Sequence, residues 1–126
     1  MRSSFRLPRV YPLTDVQMSG LSHAEQVGLL SDGGASLIQV RDKQLPALAF
    51  YEQAKEAMEI AARNGGQLIV NDRVDLALAV GAHGVHLGQD DMPPEAARRL
   101  LGPEAIIGYS THNVAQALAA LAEPFD

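Results

Sequence analysis

Leu68-Ile69-Val70-Asn71-Asp72-Arg73-Val74-Asp75-Leu76-Ala77 changes its period in the middle. The run from Gln67 to Val70 carries apolar residues in succession, as a strand covered on both faces does. From Val74 the apolar residues recur as Val74, Ala77 and Leu78, the spacing of a short helix that ends near Gly81. Three polar residues, Asn71, Asp72 and Arg73, stand at the corner. This is a strand followed by a crossover helix.

The same unit recurs on both sides. Upstream, Val10 to Thr14 is one apolar run and Ser36 to Val40 another, with Ala24, Val27 and Leu30 at helical spacing between them and Gly33-Gly34 closing that helix. The longest helix carries Phe50, Ala54, Ala57, Met58 and Ala61 behind Pro46, and Asn64-Gly65-Gly66 ends it. Downstream, Gly84 to Leu87 and Ala105 to Gly108 are short runs. A helix from Pro93-Pro94 to Gly102-Pro103 carries Ala97, Leu100 and Leu101, and a last one carries Val114, Ala117, Leu118 and Leu121. Five β-α units in one domain, residues 1–126, make the fold class α/β with a parallel sheet. A closed barrel takes eight units and about 250 residues, so length by itself favours an open doubly wound sheet.

Composition narrows the function. With 47% hydrophobic and 20% charged residues the chain is an ordinary globular domain, neither disordered nor membrane-spanning. A net charge of -5 offers no basic surface for a nucleic acid backbone, and zero Cys removes disulfides, thiolate zinc sites and cysteine nucleophiles. Behind Arg2, Arg6 and Arg9 the apolar stretch is broken by Pro12 and Asp15, so no signal-peptide core forms. We expect a cytoplasmic protein with a flexible tail over residues 1–9.

Polar residues cluster where the runs end: Asp15, Arg41-Asp42-Lys43, Asn71-Asp72-Arg73, Gln89-Asp90-Asp91 and Ser110-Thr111-His112-Asn113. In parallel α/β folds the carboxyl ends of the strands share one rim, which carries the active site. Cations and carboxylates mixed there suit a metal bridged to phosphate, because Mg²⁺ takes one or two carboxylates plus phosphate oxygens and water. Asp72 and Asp91 are the candidate pair; either could instead cap the helix that follows it, as Ser110 or Thr111 could cap the last one. Gln39, Arg41 and Lys43 alternate along an extended segment and so share a face, where Arg offers bidentate and Lys point-charge contact to phosphate. His83 and His86 stand at opposite faces of a strand and make no metal pair; His86 is a core histidine or one that orients its neighbours. No Walker A loop, G-x-G-x-x-G or nucleophile elbow is present.

Five words in series, Tyr11-Pro12-Leu13-Thr14-Asp15, Gln39-Val40-Arg41-Asp42-Lys43, Leu68 to Ala77, Gly84-Val85-His86-Leu87-Gly88-Gln89-Asp90-Asp91 and Ile107-Gly108-Tyr109-Ser110-Thr111-His112-Asn113, together resemble the thiamine phosphate synthase family (thiamine-phosphate pyrophosphorylases). The resemblance implies a TIM barrel in place of the open sheet, here with about five units and therefore incomplete. It implies a transferase that joins a hydroxymethylpyrimidine diphosphate to a thiazole phosphate, releasing pyrophosphate with the help of Mg²⁺. By similarity Gln39, Arg41, Lys43, Asn71 and Ser110 contact the pyrimidine substrate, Arg41, Lys43 and Ser110 act in catalysis, and Asp72 and Asp91 hold Mg²⁺. The partners implied are these two small molecules, neither nucleic acid nor membrane, with a homo-oligomer open.

Phe125-Asp126 falls where a sixth strand would begin, and the family's later phosphate-binding words do not follow. The expectation is a truncated piece or a half-barrel, inactive alone and prone to associate through exposed strand edges. A thiazole tautomerase, which has no leaving diphosphate to neutralise, and a non-catalytic phosphate-binding module remain alternatives.

Overall fold

A computed structural model describes residues 5–126. Ten elements follow in chain order: α1 (Val16–Ser19), α2 (His23–Asp32), β1 (Leu37–Val40), α3 (Ala47–Arg63), β2 (Gln67–Asn71), α4 (Val74–Val80), β3 (Gly84–Leu87), α5 (Pro94–Leu101), β4 (Ile106–Tyr109) and α6 (Val114–Ala120). The four strands form one parallel sheet in sequential order, β1-β2-β3-β4. An order that never reverses has no switch point, so the doubly wound arrangement favoured by length is corrected.

Side-chain alternation gives the sheet two unlike faces. Ile38 and Val40, Leu68 and Val70, Val85 and Leu87, and Ile107 all point to one face, where they meet Val27 of α2, Phe50, Ala54 and Ala57 of α3, Ala77 of α4 and Ala97 of α5. The small residues of α3 let that helix approach the sheet closely, and Phe50 is wholly enclosed. On the other face Leu37, Ile69 and Ile106 make a smaller apolar cluster with Phe5 and Tyr11 against it. The arginine-bearing N-terminal segment is therefore anchored at Phe5; residues 1–4 lie outside the described residues.

Local chemistry sets the boundaries. Ser22 and Glu25 form a reciprocal capping box at the start of α2, and Gly81 ends α4 in the left-handed region at φ 68°. The first apolar run, expected as a strand, forms only an isolated bridge between Leu13 and Gln39. Two ladder bonds flank it, Thr14 N to Gln39 O at 2.9 Å and Gln39 N to Pro12 O at 3.0 Å. Pro12 has no N–H to donate, and Asp15 immediately starts the one-turn helix α1 by accepting from Met18 N at 2.9 Å. That helix has no counterpart in the hydrophobic pattern.

Two glycines are fixed by close approach rather than by turn geometry. Gly84 lies opposite Ile106 in the β3–β4 register, and a Cβ there would collide with the Ile106 carbonyl. Gly108 lies opposite His86, and a Cβ there would enter the His86 ring. Because a buried clash must be relieved by moving strand or ring, Gly108→Ala should cost about 1–3 kcal/mol in urea unfolding and release His86 from its present partner. Wild-type stability in that variant would show that the ring relaxes freely.

Candidate active site

The carboxyl ends of β1, β2, β3 and β4 bring Lys43, Asn71, Asp72, His86, Asp91 and Ser110 to one rim. Register accounts for part of this: Asn71 is paired with His86, and His86 with Gly108. One residue past β2, Asp72 extends the ladder by donating its N–H to His86 O at 2.8 Å. Its φ of 63° makes it the non-glycine residue with positive φ among the described residues. Asp tolerates this region better than most residues, yet the conformation still costs about 1 kcal/mol and must be held by surrounding bonds.

Asp72 does not cap α4. Arg73 occupies the cap position and makes no capping bond with its side chain, which pairs with Asp75 instead, and the Asp72 carboxylate accepts from Lys43 Nζ across 29 residues. Asp91 does not cap α5 either, since Pro93 stands there; its Oδ2 accepts from Gly88 N at 2.7 Å. The two carboxylates lie within hydrogen-bonding reach of each other. Burial and the Asp72 carboxylate push the Asp91 carboxyl above its ordinary value, against the Gly88 N–H and the Lys43 ammonium, which pull it down. The capping alternative is thereby corrected for both residues.

Ser110 is not a cap, a role Asn113 takes by accepting from Gln116 N at 2.8 Å. Ser110 Oγ lies 2.7 Å from His86 Nε2, and Gln89 Nε2 donates to Ser110 O at 2.8 Å. Burial holds the His86 imidazole below its ordinary value although Asp72 and Asp91 pull it up, so His86 is uncharged at neutral pH. His86 therefore orients Ser110 beside the two carboxylates, the second of the roles open to it. His83 is spent elsewhere, accepting from Leu68 N at 3.0 Å.

Gln39, Arg41 and Lys43 are less unified than their alternation suggests. Gln39 is buried on the sheet face away from the helices, where its Nε2 donates to Tyr11 Oη at 3.1 Å, whereas Arg41 and Lys43 lie beyond β1 and are exposed. Arg41 and Lys43 line a cavity of about 190 Å³ with Asp15, Gln17 and Asp42. Tyr11 had no signal of its own in the sequence. It lines a second, larger cavity of about 310 Å³ over that same face, together with Ile69, His86 and Gly108.

Two buried side-chain atoms near the rim have no hydrogen-bond partner, Gln39 Oε1 and Asn71 Nδ2. An acceptor and a donor left unpaired in a buried place cost free energy, and such atoms are met when a polar ligand arrives. Among the described residues no group of three or more His, Asp or Glu side chains converges in a way that could hold a metal ion. No helix among them is long and apolar enough to cross a membrane.

Comparison with known proteins identifies the family and agrees with the fold. Residues 10–126 match the family described as thiamine monophosphate synthase. The chain is 45% identical over 113 residues to a thiamine-phosphate synthase of Clostridium novyi, covering 89% of this chain and 55% of that protein. It is 45% identical over 119 residues to that of Chloroflexus aurantiacus, covering 94% and 55%. The solved thiamine phosphate pyrophosphorylase from Pyrococcus furiosus superposes with a TM-score of 0.84 at 38% identity, over 92% of this chain and 56% of that one. The chain thus spans about half the length of the curated relatives it matches. With the family's match running from Val10 to the last residue and the rim residues converging as described, this chain belongs to the thiamine monophosphate synthase family.

Proposed function

We propose that this chain supplies the pyrimidine-diphosphate side of a thiamine phosphate synthase, a transferase that joins a hydroxymethylpyrimidine diphosphate to a thiazole phosphate and releases pyrophosphate. The observation that carries the proposal is the meeting of Lys43, Asp72 and Asp91 on one rim, beside the unpaired Asn71 amide. The sheet is proposed as the first part of a TIM (β/α)8 barrel. Its helices cover one face while the other carries Leu37, Ile69 and Ile106, as barrel strands do.

In the reaction the bond between the pyrimidine's methylene carbon and the diphosphate oxygen breaks, the diphosphate leaving with the electron pair. The thiazole nitrogen then gives its lone pair to that carbon. The aminopyrimidine ring stabilises positive charge at the methylene, so the protein's task is to neutralise the leaving group. Arg41 and Lys43 contribute fixed positive charge, and Asn71 Nδ2 a donor. Ser110, oriented by His86, lies toward the pyrimidine, and Gln39 Oε1 offers that ring an acceptor. None of these residues needs to form a covalent bond.

The donor set also fits a divalent ion. Two carboxylates held against each other, one with its proton affinity raised by burial and by the other, are relieved by a cation between them. Asp72 and Asp91 would hold Mg²⁺, which supplies further positive charge to the diphosphate oxygens. Two protein carboxylates make an incomplete coordination shell, so the ion would be bound together with diphosphate and water.

Titration with inorganic pyrophosphate tests the assignment. Binding should require Mg²⁺, and Asp72→Asn, which tolerates the left-handed backbone, should weaken it roughly ten- to a hundredfold, as should Asp91→Asn. Unchanged Mg²⁺-dependent affinity in both variants overturns the metal site. An independent prediction concerns stability without metal. Asp91's folded-state value lies above its unfolded one, so its contribution is favourable below the unfolded value and is lost as pH rises through the folded value. At pH 7, in buffer free of divalent ions, Asp91→Asn should therefore melt above wild type. The gap should close as pH falls into the carboxylate range, and Mg²⁺ with pyrophosphate should raise the melting temperature of wild type only.

A further inference from the structure

His23, at the start of α2, is fully buried beside Phe50, with ring centroids 5.9 Å apart, and none of the groups proposed to touch substrate includes it. Its two ring nitrogens are both engaged. Nδ1 lies 2.7 Å from Thr14 Oγ1 and Nε2 lies 2.8 Å from Asp42 Oδ2. The chain of bonds does not stop there. Arg41 N donates to the same Thr14 Oγ1 at 3.2 Å, and the other Asp42 oxygen accepts from Gln44 N and Leu45 N, each at 2.8 Å.

Donor counting gives the sense of the bonds that meet at Asp42. Burial raises the Asp42 carboxyl, but the Gln44 N–H, the His23 ring and the Leu45 N–H outweigh it and hold the group below its ordinary value, so it accepts only. His23 Nε2 must then carry the hydrogen, and Thr14 Oγ1, bonded to Nδ1, accepts from Arg41 N–H. The bonds leave the main chain at Arg41 and return at Asp42. They close a ring around the β1–α3 corner, from which Arg41 and Lys43 project.

We propose that Thr14, His23 and Asp42 form a clamp that sets the conformation of residues 41–45, making His23 a positioning residue for Arg41 and Lys43. The inference rests on the proposed function for what those two cations bind. Without the clamp each would sit on a solvent-facing turn free to sample other backbone states, and ordering that turn would be charged against ligand binding. With it, the turn is ordered before any anion arrives. Asp42, between two cations, serves to hold their shared backbone, whatever its own charge does to the ligand.

Thr14→Val removes the hydroxyl at nearly the same volume, and Thr14→Ser restores it. Amide hydrogen exchange at Gln44 and Leu45 should accelerate about tenfold in Thr14→Val and stay at the wild-type rate in Thr14→Ser. Affinity for inorganic pyrophosphate with Mg²⁺, measured well below the melting temperature, should fall about tenfold in Thr14→Val and return in Thr14→Ser. A merely structural bond would lower the melting temperature and leave both readouts at wild-type values, and that result overturns the clamp. Should wild type bind no pyrophosphate, the functional reading falls and the exchange arm decides the clamp alone. If Thr14→Val does not fold, Asp42→Ala carries the same two expectations from the solvent side of the ring, since it leaves His23 Nε2, Gln44 N and Leu45 N without their acceptor.

Discussion

Parallel pairing of four short strands, with helices on one side of them, governs the rest of this structure. Because successive side chains alternate between faces, the helix-packed face takes Ile38, Val40, Leu68, Val70, Val85 and Leu87, and the residues between them have to face the other way. Gln39, Asn71, His86 and Gly108 stand on that second face through register alone. A slip of one residue in any strand would exchange apolar and polar sets, burying Gln39 or Asn71 under α3 or α4 without a partner. The hydrophobic core thus determines where the chemistry can be.

Most of this order was legible because the signals are local. Strand ends and helix starts alternate at Asn71-Asp72-Arg73 and Gln89-Asp90-Asp91, and consecutive parallel strands lie side by side, so Asp72 and Asp91 are neighbours in space as well as in order. Two local readings failed for physical reasons. Val10 to Thr14 has the apolarity of a strand, yet Pro12 removes a donor and Asp15 turns the chain into α1. Asp72 and Asp91 occupy places where a cap is common, but their carboxylates are drawn to Lys43 and Gly88 instead.

Bonds across long sequence separations left no trace in the pattern. Tyr11 with Gln39, His86 with Ser110, and Thr14 with His23 and Asp42 join residues that no period relates. Each becomes visible only when the register is known. The His86–Ser110 contact further depends on Gly108 having no side chain, a condition that reads in the sequence as a glycine inside an apolar run and nothing more.

Cost accumulates where the rim residues meet. Asp72 holds a left-handed backbone, Asp91 is pressed toward protonation by burial and by its neighbour, and Gln39 and Asn71 each keep a buried polar atom unpaired. In the helix-packed core the reverse holds, with Val27, Val40, Ala54, Leu68, Val70 and Val85 wholly enclosed. A fold with such a core can carry a few kilocalories of local strain per mole, and a ligand bearing negative charge and hydrogen-bonding oxygens would relieve several of these costs together. On the proposed function, relief of that kind would be binding energy prepared in advance, directed at an anion beside Lys43 and Asn71 with a cation between Asp72 and Asp91. On that proposal the strained corner after β2 and the clamped corner after β1 act together: the first would store cost that a bound diphosphate removes, and the second would spare the ligand the ordering of Arg41 and Lys43.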